Sequence, residues 1–419
     1  MDDEPSGGWN LRIDWDGPAV RAWLWRHRVA ILLGLGALFR VAQYLAGRSL
    51  WLDEQSLRAS VRVASPLAFF GPLGNGQLAP PGFLLLQWLA VRAIGDSSYG
   101  VRFVPLLAGL AGLWLFLEVA RRVLAPRAVP AAAALFASAD DLIYFAAEGK
   151  QYSSDVAAAL ACTLLGLTAG AGRLTPRRAA ILAGFGVLIV WFSHPSVFVL
   201  AAVGTARLAG RILVRDWPGA AAWCGIGAAW VASFAAVHHV AMDQLGHEGM
   251  MWEFWAFAFP PAPRSAWDAS WIARRLAYVL VNPLHFREPF GPGWSMIPAL
   301  LCGVAGFAAL WRSGRDRLAI LTLPIAFAAA ASGLRLYPFH GRLILFLVPA
   351  FLLLIAAGLD RSRDLRPGRP IVFALLATLL IGVPMLRDAF HLVEPRDRMF
   401  FNTYGDRRPP SDDPGRFPF

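Results

Sequence analysis

The chain has 419 residues, of which 57% are hydrophobic and only 16% are charged. Soluble domains contain about 45–50% apolar and about 25% charged residues, so this composition excludes a soluble protein that covers its surface with polar groups. The apolar segments are long runs rich in leucine and alanine without the period-2 alternation of a transmembrane barrel. The sequence therefore predicts an all-α, polytopic membrane protein.

The net charge of +11 arises from arginines that lie between the hydrophobic runs. Such clusters are typical of short cytoplasmic loops rather than of a nucleic-acid-binding surface, so no nucleic-acid partner is expected. Lys150 is the only lysine.

About eleven transmembrane spans are predicted, because runs of about 20 apolar residues are needed to cross a bilayer. They are 29–46, 101–120, 128–147, 155–171, 179–193, 196–210, 219–238, 294–311, 318–334, 342–359 and 370–387. Residues 1–28 are followed by an apolar run without a cleavage site, which indicates an uncleaved signal anchor. Because Arg-rich loops alternate with Arg-poor ones, we expect a cytoplasmic N-terminus and an external C-terminus in the plasma membrane.

The apolar segment 79–94 is a marginal span of 16 residues. If it crossed the membrane alone, the Arg-rich loop at 121–127 would become external. We therefore predict a juxtamembrane or re-entrant helix on the outer face; the alternative is a true span that breaks the charge rule. The external loops are then long, at about 47–100 and 239–293.

The second external loop contains a tryptophan cluster, which forms either an interfacial belt or the lining of a substrate groove. Its members are Trp252, Trp255, Trp267 and Trp271. The segment 388–419 is rich in Pro, Asp and Arg and has no apolar periodicity. We expect it to be a disordered or truncated external tail.

Adjacent carboxylates open the first external loop at Asp53 and Glu54. One carboxylate of such a pair can take a proton from a hydroxyl group while the other orients a substrate or binds a cation. The alternative is an acidic pair that stabilises a helix N-terminus.

A second charged segment, E-G-K-Q-Y-S-S-D at 148–155, closes the outer end of the third predicted span. Helical spacing places Glu148, Tyr152 and Asp155 on one face, and a break at Gly149 would bring Lys150 toward them. Charges this close to hydrocarbon indicate a functional site; the alternative is a snorkelling lysine at a solvated helix end.

Near the outer ends of later spans lie His194, in S-H-P, and His340 and Arg342, in Y-P-F-H-G-R. An arginine at this height can bind a phosphate at the headgroup boundary. Alternatively, His194 caps a broken helix and Arg342 is a positive residue at a span end. The histidines lack metal-like spacing, so no metal site is assigned and a divalent cation stays an open alternative.

The order of the motifs carries a family resemblance. In chain order they are W-L-D-E, L-A-P-P-G-F-L-L-L-Q-W, G-D-S-S-Y-G-V-R-F-V-P, E-G-K-Q-Y-S-S-D, S-H-P and Y-P-F-H-G-R-L-I-L-F-L-V-P. Over residues 29–360 the chain resembles the GT-C superfamily of polyprenyl-phosphate-sugar-dependent glycosyltransferases. Within it, the chain is similar to bacterial relatives of protein O-mannosyltransferases and of the lipid A aminoarabinose transferase. The resemblance implies a GT-C membrane domain over 29–387 with juxtamembrane helices in the first external loop.

The resemblance also implies a reaction. An acceptor hydroxyl of a protein, lipid or glycan attacks C1 of a hexose or pentose carried by a polyprenyl phosphate, on the extracytoplasmic face, in one inverting displacement. By matching position, Asp53 is the base, with Glu54 beside it. The implied donor-binding residues are Glu148, Lys150, Tyr152, His194, His340 and Arg342.

Two other functions stay open at this stage. A secondary transporter or flippase for a lipid-linked or anionic solute would also carry charges within its spans, as at Arg40, Asp140 and Asp141. An inactive or scaffolding member of the fold is the other, because relatives often continue into a small external domain after the last span.

Overall fold

A computed structural model describes residues 18–63, 65–73, 77–170, 174–245, 253–261, 265, 268, 270–286, 295–364 and 369–396. Every regular element within these ranges is helical. Trp252, Trp267 and the segment 397–419 of the predicted tail lie outside the described residues.

Sixteen α-helices are numbered here along the described chain. They are α1 (Pro18–Leu45), α2 (Leu52–Val61), α3 (Pro81–Ile94), α4 (Ser98–Val123), α5 (Val129–Ala137), α6 (Asp140–Tyr144), α7 (Tyr152–Thr168), α8 (Pro176–Ile189), α9 (Ser196–Leu213), α10 (Trp217–Leu245), α11 (Trp271–Tyr278), α12 (Met296–Ser313), α13 (Arg315–Gly333), α14 (Val348–Arg361), α15 (Arg369–Ala377) and α16 (Val383–Phe390). A π-helical turn, Thr378–Gly382, joins α15 to α16, and 3-10 turns precede α14 at Gly341–Leu347 and follow α6 at Phe145–Ala147.

The predicted polytopic, all-α fold is confirmed, but the predicted number of about eleven spans is not established. Within the described ranges, 8 helices are long and apolar enough to cross a membrane, or 9 if the bent pair α5 and α6 forms one span. The two numbers differ because some predicted spans form helices too short to be counted. At a rise of about 1.5 Å per residue, α7 and α8 are roughly 26 Å and 21 Å long, less than the roughly 30 Å hydrocarbon core.

The predicted juxtamembrane segment forms α3, which has 14 residues. Its length of about 21 Å is too short to cross a bilayer alone. It packs against α4 and α2, and Leu57, Phe83, Leu84 and Val101 form a core there that is separate from the main core of the bundle. This small core fixes α2 over the start of α4.

The predicted third span is broken. Between α5 and α6 the helix axis bends by 59°. At the break, the Ser138 hydroxyl donates a hydrogen bond of 2.9 Å to the carbonyl of Ala134. The chain then packs its 3-10 turn, Phe145–Ala147, against α4 before α7 begins. The bend brings the loop 148–151 beside the first turn of α4.

Asp140, at the start of α6, lies in a buried ion cluster. Its carboxylate contacts Arg387 at 2.9 Å and Arg396 at 2.5 Å, and Arg396 also binds Asp388. The side-chain amide of Gln43, in α1, makes hydrogen bonds of 2.7 and 3.1 Å with the backbone of Arg396. Asp388 and Arg396, which the sequence assigns to the tail, are therefore buried in the bundle, whereas most of the residues between them are exposed.

The other charges that favoured a transporter are also bound within the bundle. Asp141 lies 2.7 Å from Nε2 of His285, and both side chains are buried. Arg40 donates hydrogen bonds to the carbonyls of Gly36 and Phe136, at 2.9 and 3.2 Å. Burying a charged group is costly unless it is paired, and these contacts supply the pairing. The contact of Arg40 with Phe136 also joins α1 to α5.

Candidate active site

Glu54, in the first turn of α2, is the most tightly bound carboxylate of the site. Arg102, in the first turn of α4, donates to both of its oxygens, at 2.8 and 2.7 Å. The backbone N–H groups of Trp51 and Gly149 donate to the same carboxylate, at 2.9 and 2.7 Å. Glu54 therefore joins α2, α4 and the loop 148–151 in one buried contact.

The environment of Glu54 favours its charged form. Burial alone raises the pKa of this carboxyl, but the hydrogen bonds and the charge of Arg102 outweigh it and hold the pKa below its ordinary value. Arg102 in turn donates to the carbonyls of Arg48 and Ser49, at 2.6 and 3.0 Å. The pair thereby fixes the segment that leads from α1 into α2.

Asp53 faces the opposite way and remains accessible. Its carboxylate lies 3.0 Å from the guanidinium of Arg342, and its side chain is 27% exposed. The guanidinium carbon of Arg342 lies 5.5 Å from the ring centroid of Tyr152 and 5.8 Å from that of Trp255. Arg342 is thus held over two aromatic rings, an arrangement that supports a partly desolvated cation.

Lys150 lies in the loop that Glu54 holds. Its buried ammonium donates a 2.6 Å hydrogen bond to the side-chain carbonyl of Gln77, just ahead of α3. Glu148, also buried, lies within electrostatic range of Arg102. We call Asp53, Lys150, Tyr152 and Arg342 the rim cluster: it combines one accessible carboxylate with two cations.

His340 precedes Arg342 by two residues and lies behind it. Its Nδ1 is 3.0 Å from a guanidinium nitrogen of Arg275, and its ring stacks on Tyr278 with a centroid distance of 5.8 Å. His340 and Arg342 share Trp255, whose ring centroid lies 6.4 Å from that of His340. The described tryptophans Trp255 and Trp271 are buried.

His194 lies apart from the rim cluster, at the break between α8 and α9. The preceding Ser193 faces Asp155, which is one turn further along α7 than Tyr152. Of the residues predicted for the site, the structure thus brings Asp53, Tyr152 and Arg342 together, while Lys150 lies two residues before Tyr152 in the loop that Glu54 binds. His340 and His194 lie at two separate edges of this group.

Several residues of the site were not predicted from the sequence. They are Gln77, Arg102, Trp255 and Arg275. Arg102 offered a signal, since a cation in the first turn of a long apolar helix needs a buried partner. Gln77 offered none, because its role depends on the fold of the preceding loop.

An apolar groove of about 700 Å³ lies along the bundle, on the face of α7 opposite Tyr152. α3, α4, α7 and the end of α8 form its walls, and its lining residues include Leu86, Leu107 and Ala161. Ser154 also lines it, so the groove reaches the turn of α7 that carries Tyr152. As to metals, within the described ranges no three or more His, Cys, Asp or Glu side chains converge as ligands.

Comparison by sequence gives no relatives: no protein-family profile and no curated protein matches the chain. Comparison of structures does. ArnT from Cupriavidus metallidurans in the apo state superposes with a TM-score of 0.55 at 13% identity, over 93% of this chain and 78% of ArnT. ArnT bound to undecaprenyl phosphate gives a TM-score of 0.51 at 14% identity, over 89% and 73% of the two chains.

A third structure is the archaeal oligosaccharyltransferase AglB from Archaeoglobus fulgidus, in complex with an inhibitory peptide and a dolichol-phosphate. Its TM-score is 0.51 at 14% identity; the match covers 88% of this chain but only 56% of AglB, so the chain spans just over half the length of that protein. The chain therefore has the GT-C membrane fold that its motifs predict.

Proposed function

We propose that the chain is a membrane glycosyltransferase that moves a sugar from a polyprenyl phosphate to an acceptor hydroxyl on the extracytoplasmic face. The observation that carries this proposal is the ion pair between Asp53 and Arg342, at 3.0 Å. It places an accessible carboxylate beside a cation suited to a phosphate. The similarity in fold to ArnT, of which one structure holds undecaprenyl phosphate, supports the same class of donor.

The rim cluster has the groups that one displacement needs. Asp53 takes the proton of the acceptor hydroxyl while that oxygen forms a bond to C1 of the sugar. The bond from C1 to the phosphate oxygen breaks, and the polyprenyl phosphate leaves with the electron pair. Arg342 and Lys150 stabilise the negative charge that develops on the leaving oxygen. Attack opposite the leaving group inverts the configuration at C1.

The ion pair also defines the resting state. In the free enzyme the guanidinium of Arg342 lies against the carboxylate of Asp53, at 3.0 Å. When a donor binds, its phosphate competes for the guanidinium, which has several donor groups and can serve both anions. The carboxylate then becomes available to the acceptor.

The apolar groove suits the polyprenyl chain of the donor. Its walls are almost entirely aliphatic and aromatic, and Ser154, two residues after Tyr152, lies among them. A lipid chain in this groove would place its phosphate near the rim cluster. Burial of apolar surface stabilises such a chain by roughly 25 cal/mol per Å².

Glu54 has a positioning role in this proposal rather than a catalytic one. All four hydrogen bonds to its carboxylate come from groups of the chain itself, so it holds the loop of Lys150 against α2. His340 likewise positions Arg342 through the ring of Trp255.

A comparison of envelopes tests the proposal. Glycans and glycolipids of a deletion strain are compared by mass spectrometry with those of strains complemented by the wild type or by Asp53→Asn. We expect one glycosylated species to disappear on deletion and to return only with the wild type. An unchanged envelope together with altered solute uptake would favour the transporter and overturn the proposal.

A further inference from the structure

Three buried polar groups lie near the start of α7: one belongs to Asp155, one turn further along that helix than Tyr152, and two belong to the break between α8 and α9. We call Asp155, Ser193 and His194 the floor cluster. One carboxylate oxygen of Asp155, the hydroxyl of Ser193 and Nε2 of His194 are buried, and within the described ranges none of these atoms makes a hydrogen bond of good geometry, although Asp155 and Ser193 face each other. Asp155 is 7% exposed and Ser193 is fully buried.

Such groups are unusual in the absence of a ligand. More than about 90% of buried polar groups in proteins have a hydrogen-bond partner, because leaving one unpaired is costly. Here three occur together on two elements, the first turn of α7 and the break between α8 and α9. His194 on one side and the facing pair of Asp155 and Ser193 on the other thus both have hydrogen-bonding capacity to spare.

The floor cluster adjoins the rim cluster. Asp155 lies within electrostatic range of Tyr337, as does Tyr152. The Tyr337 hydroxyl is itself bound to the carbonyl of Leu343, at 2.6 Å, next to Arg342. A group bound at Arg342 and Tyr152 would therefore lie near Asp155 of the floor cluster.

We propose that Asp155, Ser193 and His194 form the subsite that hydrogen-bonds the hydroxyl groups of the sugar carried by the donor. This inference rests on the proposed function, since it needs the donor phosphate at the rim cluster. The carboxylate of Asp155 accepts hydrogen bonds from sugar hydroxyls, the Ser193 hydroxyl either donates or accepts, and Nε2 of His194 completes the set. These residues then select the sugar, whereas the rim cluster binds the phosphate that all such donors share.

The cluster selects among sugars because leaving its buried polar groups without hydrogen bonds is costly. A site with buried polar groups strongly rejects a ligand that leaves them unpaired. A polyprenyl phosphate without a sugar, or with a sugar whose hydroxyls point elsewhere, leaves the floor cluster unpaired.

Binding measurements on the full chain in lipid nanodiscs test this. The probes are undecaprenyl phosphate and its mannosyl, glucosyl, galactosyl and arabinosyl esters. We expect the wild type to bind one ester more tightly than undecaprenyl phosphate. Asp155→Asn and Ser193→Ala should each weaken binding of that ester by about 10- to 100-fold, the range for a hydrogen bond involving a charged group, and leave undecaprenyl phosphate unchanged.

Thr163→Val is the matched control, because Thr163 is a buried residue two turns further along α7 whose hydroxyl already donates to the carbonyl of Ala159, at 2.8 Å. It should bind every probe as the wild type does. Wild-type affinity for the preferred ester in both floor variants would overturn the inference, and so would an equal loss for the ester and for undecaprenyl phosphate.

A wild type that binds undecaprenyl phosphate and all four esters equally would overturn the inference and leave the proposed function standing. A wild type that binds none of the five probes would overturn both. The two failures are thus distinguishable in one set of measurements.

Discussion

The carboxylate of Asp53 and the guanidinium of Arg342 lie 3.0 Å apart, although one residue follows the first helix and the other precedes α14. This pair brings the two ends of the membrane domain together at one site. Neighbouring Glu54 points the other way and is fully bound. Two consecutive carboxylates therefore have different surroundings, and only Asp53 is open to a substrate.

Asp53→Asn should lower sugar transfer by about 100- to 10,000-fold, because it removes a general base and keeps the shape of the side chain. Transfer is measured with a radiolabelled polyprenyl-phosphate sugar in membranes of a deletion strain. Asp243→Asn is the control, since Asp243 is exposed and pairs only with His239 at the end of α10. Wild-type rates in the Asp53 variant would remove it from the catalytic assignment.

Arg342→Lys should weaken binding of undecaprenyl phosphate by about 10-fold or more, although the charge is kept. Lysine lacks the planar fork of arginine and stacks poorly over Tyr152 and Trp255. Binding is measured in nanodiscs, with Arg335→Lys as the control because Arg335 is exposed on the preceding segment. Equal affinities for the wild type and the Arg342 variant would contradict a phosphate-binding role.

Gly149→Ala should impair transfer and lower thermal stability. A Cβ at this position would overlap the side chain of Val101 and lie 3.3 Å from Oε1 of Glu54, so the loop of Lys150 would have to move. Gly184→Ala is the matched control, because nothing lies within 4 Å of a Cβ there. In that helix interior alanine is the better helix former, so the control should melt no lower than the wild type. Equal behaviour of the two variants would argue against close packing at Gly149.

Glu54→Gln should destabilise the protein at neutral pH by about 3–5 kcal/mol, since it removes the carboxylate that binds the buried guanidinium of Arg102. The pKa of Glu54 is lowered in the folded state by Arg102, against the effect of burial. Its stabilising contribution is therefore present above the unfolded-state pKa of about 4.3 and is lost as the pH falls toward the folded-state value. Thermal melts in detergent should show the gap between wild type and variant closing below about pH 4.3.

The control for that experiment is Glu118→Gln. Glu118 pairs with Arg121 and Arg122 at the exposed end of α4, where ion pairs contribute little. Its melting temperature should follow that of the wild type at every pH. A gap for Glu54→Gln that stays constant with pH would show that the carboxyl does not titrate between the two states as we expect.

Arg396→Ala should destabilise the bundle by about 3–5 kcal/mol, because it leaves Asp140 and Asp388 buried with too few cations. Melting of the purified protein in detergent measures the loss. Arg361→Ala, which removes an exposed ion pair with Asp364, should change little. A neutral effect of Arg396→Ala would mean that the cluster is not needed to hold the last helix.

The sequence allowed much of the fold to be predicted, because apolar run length and arginine position are local properties. The helices lie close to the predicted spans, and α3 is the short helix expected at 79–94. The break between α5 and α6 was not predicted, since no proline or glycine marks it. Asp140, just after the break, pairs with Arg387 of the last helix and with Arg396 beyond it, and no local pattern reveals these contacts.

For the site, Asp53, Tyr152 and Arg342, which the motifs contain, lie close together. Their catalytic and binding roles stay predictions. The sequence could not show that Glu54 is bound and buried while Asp53 stays accessible, because this depends on the position of Arg102 in the fold. Likewise, 388–396 has the composition of a flexible tail, yet Arg396 is buried because Asp140 and Gln43 bind it.

The ion pair between Asp140 and Arg396 also sets an order of events during biosynthesis. The two residues are 256 positions apart, so at about 5–20 residues per second Asp140 emerges from the ribosome about 13–50 s before its partner. Throughout that interval the bend between α5 and α6, which precedes the loop of Lys150, lacks the ion pairs that Asp140 makes with Arg387 and Arg396. The polypeptide therefore acquires its finished site only when the final helix has been synthesised and inserted.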